Sequence, residues 1–155
     1  MQIRLLILFV IFLLSCKDTT TNTQDLDLMR YGMPIKIKAP LDAEIESNDF
    51  GFMKDISIKD DDGYFLQILS SEAIQLDPTK IKQEKLQEIK NNPYFSSIVQ
   101  EDDHGFIFEK IRSDSSKNYD FRHIRIQGDN QYIFQAGMIG KFSKEKIEEI
   151  YNSVK

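Results

Sequence analysis

Four segments in the second half of the chain read as strands, and each is joined to the next by only a few turn-forming residues. The segments are residues 96–100, 106–112, 119–127 and 131–139, and the connectors are Asp102-Asp103-His104-Gly105, residues 113–118 and Gly128-Asp129-Asn130. In residues 119–127 successive side chains divide into two unlike sides, the period of two that marks a strand. A parallel pair needs a crossover of about a dozen residues or more, and none of these connectors is long enough, so the four run antiparallel as hairpin neighbours. This succession commits the domain to an antiparallel sheet.

The first half supplies three more strands and a helix. Residues 34–39 alternate Ile35 and Ile37 with lysines and are closed by Pro40. Residues 50–59 place Phe50, Phe52, Ile56 and Ile58 in one register; Asp60-Asp61-Asp62-Gly63 then reads as a turn, and residues 64–69 (YFLQIL) return. Asp77-Pro78 opens a helix, with Asp as N-cap and Pro at the first helical position. Ile81, Leu86 and Ile89 share one side of it, and Asn91-Asn92-Pro93 ends it. A second helix closes the chain. Ser143 caps it, Phe142 staples onto Ile147, and Ile147, Ile150, Tyr151 and Val154 repeat at helical spacing. The expected order is β-β-β-α-β-β-β-β-α: an α+β fold in which two helices pack on an antiparallel sheet of about seven strands.

Ahead of this domain, residues 5–14 (LLILFVIFLL) form an unbroken apolar run preceded by Arg4. Ten residues are too few to span a bilayer, which takes about 20, and they fit the apolar core of a signal peptide. The run ends in Leu13-Leu14-Ser15-Cys16, which resembles the lipobox of bacterial lipoproteins. The resemblance implies cleavage before Cys16, a diacylglyceryl group on its thiol and attachment to a membrane. Cys16 is the only cysteine, so no intramolecular disulfide competes for it. Acyl chains contribute ~0.8 kcal/mol per buried methylene, enough for two or three of them to hold a small domain on a bilayer. Residues 17–27 (KDTTTNTQDLD) read as a solvated tether, and Cys16-Lys17-Asp18 resembles, in shortened form, the signal that sends some lipoproteins to the outer face of the outer membrane. The expected division is residues 1–15 as signal, 16–33 as lipidated cysteine and tether, and 34–155 as one domain. Removing the first 15 of 155 residues leaves 140, one domain's worth.

The element order over residues 34–155, with a central helix, a four-strand meander and a final helix, resembles the PsbP-like fold of small bacterial lipoproteins and of an extrinsic photosystem protein. Residues 35–43 (IKIKAPLDA) and 132–155 also resemble small lipoproteins of uncharacterised function. Neither resemblance implies a site residue.

Chemistry is sparse in the sequence. Loss of Arg4 takes the net charge from −5 to −6, and a mildly acidic domain argues against nucleic acid, whose phosphates need a basic face. His104 and His123 are the only histidines. With no spacing that builds a zinc site, they read as solvated imidazoles, and no metal or cofactor is assigned. Two acidic tips, Asp60-Asp61-Asp62 and Glu101-Asp102-Asp103, could supply oxygens to calcium if they converged, but Asp and Gly are also what tight turns use. No nucleophile elbow or phosphate-cradling glycine loop occurs, and no catalytic residue is assigned. In residues 119–127, Tyr119, Phe121, His123 and Arg125 fall on one side and Asp120, Arg122, Ile124 and Ile126 on the other. Two arginines on opposite sides predict an amphipathic or edge strand, and the aromatic, His and Arg side is the candidate binding face. The expectation is a non-enzymatic, lipid-anchored binding or accessory domain of the cell envelope, most simply at the outer membrane. Its partners would be the bilayer through Cys16 and an envelope protein or small ligand. Two alternatives stay open: a small envelope hydrolase using a carboxylate pair, and a protective or inhibitor protein docking one partner.

Overall fold

Local signals at the helix caps and the tight turns position the elements of the computed structural model, which describes residues 22–155. The expected signal segment, Leu13-Leu14-Ser15-Cys16 and residues 17–21 of the expected tether lie outside the described residues. Strand β1 (Thr23–Asp27) pairs antiparallel with β2 (Lys36–Pro40) as a separate two-stranded ribbon, turned by a short 3-10 segment, Met29–Tyr31. Strands β3 (Glu44–Asp49), β4 (Met53–Lys59) and β5 (Phe65–Glu72) follow, then helix α1 (Pro78–Lys90). The meander β6 (Phe95–Glu101), β7 (Gly105–Ile111), β8 (Lys117–Gln127) and β9 (Asn130–Ala136) leads to α2 (Lys144–Ser153). Strands β3 to β9 form one antiparallel sheet in the order β3-β4-β5-β9-β8-β7-β6. The class is α+β, and the element order is the expected one with β1 and β3 added.

The caps act as their residue types dictate. Asp77 accepts the Thr79 N–H at 2.9 Å with Pro78 at the first position, and Ser143 accepts the Lys146 N–H at 3.2 Å. In the Asp60 turn, Asp60 Oδ1 accepts the Tyr64 N–H at 2.7 Å, and Gly63 takes the positive φ of 87° that this turn requires.

The sheet has two covered faces of different kinds. Ile56, Ile58, Leu66, Ile68, Ile107, Phe121, Tyr132 and Phe134 are buried in the main core together with the α2 stripe and with Leu28, Met33, Ile35 and Ile37 of the ribbon. On the other face a smaller cluster joins Leu86 of α1 to Phe106 and Phe108, with Ile89, Phe95 and Ile98 packed against it. Burying a side chain of this size contributes about 1.5–3 kcal/mol, so the main core outweighs every surface interaction in the molecule.

Three sequence expectations need correction. The fold begins before Pro34, because β1 is hydrogen-bonded to β2 and Leu28 and Met33 are wholly buried. The alternation assigned to residues 50–59 starts only at Met53: Phe50 and Phe52 flank Gly51 (φ 82°) in the β3–β4 turn and are exposed. The last strand ends at Ala136, where the Phe65 ring occupies the space a side chain at residue 137 would need.

Candidate functional site

The two acidic tips do not converge. Lys59 pairs with Phe65, Leu66 with Ala136 and Ile111 with Lys117, so the Asp60 turn lies at one end of the sheet. Gly105 pairs with His123 and Gln127 with Asn130, which puts the Asp102 turn at the other. Glu101 binds Lys82 at 2.9 Å, and Asp102 Oδ1 accepts the His104 and Gly105 N–H groups, as a turn residue does. Among the described residues, no three His, Cys, Asp or Glu side chains are grouped to hold a metal.

At the Asp102 end, the turn meets β8, the segment entering α1 and the C-terminal end of α2. A cavity of about 720 Å3 opens there. Leu76, Pro78, Ile124 and Ile126 supply its apolar wall, and Asp102, Asp103, His104, His123, Arg125 and Lys155 supply the polar one. The sequence signals for these residues sit in four separate stretches, and only the fold joins them. Leu76, Pro78 and Lys155 were not legible as site residues, because nothing local marks them beyond cap chemistry, and Asp102 and Asp103 stood out only as an acidic turn.

Strand β8 carries the centre of the site. Tyr119, Phe121, His123 and Arg125 share one side, as their alternation requires, but that side faces α2 and not solvent. Phe121 is fully buried edge-on to Tyr151, with ring centroids 5.5 Å apart. Tyr119 donates its hydroxyl to Glu109 at 2.9 Å, remote from the cavity. Only His123 and Arg125 reach the cavity, so the candidate binding face is corrected to the end of β8. The apolar stripe of α2 needs a partner surface, and Phe121 with its neighbours Ile107 and Phe134 provides it. Nor is β8 an edge strand: it lies between β9 and β7. Its arginines are tolerated because each has internal partners. Arg122 binds Asp120 at 3.0 Å, and Arg125 donates to the Val154 carbonyl at 2.6 Å and the Lys36 carbonyl at 3.3 Å. Arg125 thus ties the end of α2 to the ribbon.

His104 is exposed, as expected. His123 is not: it is 7% exposed, edge-on to Tyr151 at 5.8 Å and to His104 at 6.4 Å, and tilted against Phe134 at 5.7 Å. Burial, reinforced by the positive charge of Arg125, lowers its pKa to about 4, so the ring is neutral at pH 7. Its Nδ1 is buried without a hydrogen-bond partner. Partial burial would raise the Asp102 carboxyl, but the Lys155 ammonium and the His104 N–H, with the Tyr151 hydroxyl turned toward it, outweigh that and hold the group at about 2. The Lys155 ammonium sits 2.8 Å from Asp102 and 4.3 Å from the centre of the Tyr151 ring. Tyr151 faces the Asp102 carboxylate without a well-aligned hydrogen bond; burial first, and that carboxylate second, push its pKa up. The site therefore presents a neutral imidazole, a fixed carboxylate–ammonium pair and an apolar wall. Such groups can hydrogen-bond a polar ligand, with Asp102 fixed as an acceptor.

No protein-family model, curated protein or solved structure matches this chain. The PsbP-like resemblance thus rests on element order.

Proposed function

We propose that this chain is a lipid-anchored protein of the bacterial cell envelope whose domain binds a partner at the end of the sheet distant from its anchor. The carrying observation is Leu13-Leu14-Ser15-Cys16 directly after a ten-residue apolar run, with no second cysteine in the chain. The chain trace supports it. The Leu41 N–H binds the Asn22 carbonyl at 3.0 Å, so the chain enters the fold at the Asp60 end, opposite the cavity. Anchored at Cys16, the domain would hold the cavity away from the bilayer.

The cavity's surroundings favour binding. Leu76 brings an exposed apolar side chain to the cavity wall beside its polar groups, and Met29, Phe50, Phe52 and Ile74 are exposed on other turns at the same end of the sheet. Asp102, fixed as a carboxylate by Lys155, suits recognition better than proton donation, which needs a raised pKa.

Metabolic labelling with a palmitate analogue tests the anchor. Wild type should carry label and fractionate with membranes, and Cys16→Ala should lose both. Equal labelling of the two would overturn the reading.

A further inference from the structure

Residues 137–142 (GMIGKF) connect β9 to α2 and display two large apolar side chains, Met138 at 82% and Ile139 at 85% exposure. The segment is pinned at both feet. The Gly137 N–H donates to the Phe65 carbonyl at 2.9 Å. Asn118 accepts the Phe142 N–H at 2.7 Å and donates to the Gly140 carbonyl at 3.3 Å. A held loop that points adjacent apolar side chains at solvent marks an interaction surface when other groups extend it. Tyr94, also exposed, lines a cleft of about 300 Å3 with Met138. Arg112 and Lys141 both act on Asp114 at this end, and neither enters an ion pair among the described residues. An apolar tip with a tyrosine and cations beside it is the composition that settles at a bilayer interface.

Position selects the occupant. The loop lies at the same end of the sheet as Asn22, since Ala136 pairs with Leu66 and Glu44, just after Leu41, pairs with Lys59. Five residues lie between Cys16 and Asn22, so six Cα-to-Cα steps give a reach of about 20 Å at full extension. From the β4–β5 corner to β9 is two strand steps, about 10 Å, and the ribbon lies about one layer, or 10 Å, above the sheet. The corner nearest Asn22 carries Asp42, Glu44, Asp60 and Asp61 around Lys59, a net negative charge that anionic headgroups repel. The domain therefore rocks toward residues 137–142.

We propose that Met138 and Ile139 form a second membrane contact, entering the bilayer interface beside the acylated Cys16 with Arg112 and Lys141 against the headgroups. This rests on the lipid-anchor reading above. The chain contains no tryptophan, so one introduced at residue 139 reports alone, and the exposure of Ile139 makes Ile139→Trp harmless to folding. The acylated full chain carrying it is placed in vesicles of phosphatidylethanolamine and phosphatidylglycerol with brominated acyl chains. Trp fluorescence should be quenched and blue-shifted, whereas Phe52→Trp, at the opposite end and 79% exposed, should be neither. An intact mass of each sample shows whether Cys16 is acylated. Unquenched emission from Ile139→Trp on an acylated chain overturns the membrane contact and leaves the anchor standing, as does equal quenching of both variants. A mass without the acyl group overturns both.

Discussion

A histidine 7% exposed beside an arginine ties stability to pH. His123 titrates at about 4 in the folded protein against an ordinary 6.5, so the unfolded chain binds the proton more readily between those values. Its contribution is complete above about pH 6.5 and is lost as pH falls toward 4, by on the order of 3 kcal/mol. Thermal melts from pH 7 to pH 4 should therefore fall more steeply for wild type than for His123→Phe, which keeps a ring against Tyr151 and Phe134. Equal slopes would mean that His123 is not the titrating group. Gly105 has a different constraint: a Cβ there would lie 2.5 Å from both the Arg122 carbonyl oxygen and the Tyr151 hydroxyl. Backbone cannot yield as a flexible side chain can, so Gly105→Ala should destabilise by about 1–3 kcal/mol in denaturant melts. Neither property was legible in sequence. His123 reads as a surface imidazole until α2 is laid over its side of β8, and Gly105 reads as a turn glycine until Tyr151 is brought against it.

At the scale of elements, α2 was fully legible, because cap, staple and stripe all agree. Ile147 and Ile150 are wholly buried. Truncating either to Ala should cost about 2–5 kcal/mol, and Glu148→Ala about half a kcal/mol or less, a contrast that chemical denaturation would read directly. The ribbon was half legible. Strand β2 alternates isoleucine with lysine, but β1 (TQDLD) offers only Leu26 and passes for tether. It covers the core with its partner and leaves its own outer side to water. Strand β3 (EIESND) was missed for a related reason: as the sheet's edge strand it is mostly exposed, and its composition follows its surroundings. The distinction has a measurable consequence. A chain starting at residue 22 should melt cooperatively. One starting at residue 34, where the sequence pattern begins, loses β1, Leu28 and Met33 and should melt lower or without cooperativity. Equal melts would show that residues 22–33 contribute nothing to the core.

For the whole molecule, the sheet has two unlike ends. One receives the chain from the Cys16 side and carries the acidic Asp60 corner and the Met138–Ile139 loop. The other carries the cavity and the exposed Met29, Phe52 and Ile74. The sequence showed the sheet, because strand periodicity is local, but not the cavity, whose walls come from residues 76–78, 102–104, 123–126 and 155 and meet only through the strand order. Among the described residues, no helix is long and apolar enough to cross a membrane; the proposal that the cavity is held away from a bilayer rests on Cys16 as the point of attachment. The intact mass of the full chain purified from bacterial membranes tests this most directly. The account predicts a species lacking residues 1–15 and carrying a diacylglyceryl group on Cys16. A mature chain with a free Cys16 thiol, or one cut elsewhere, would contradict it.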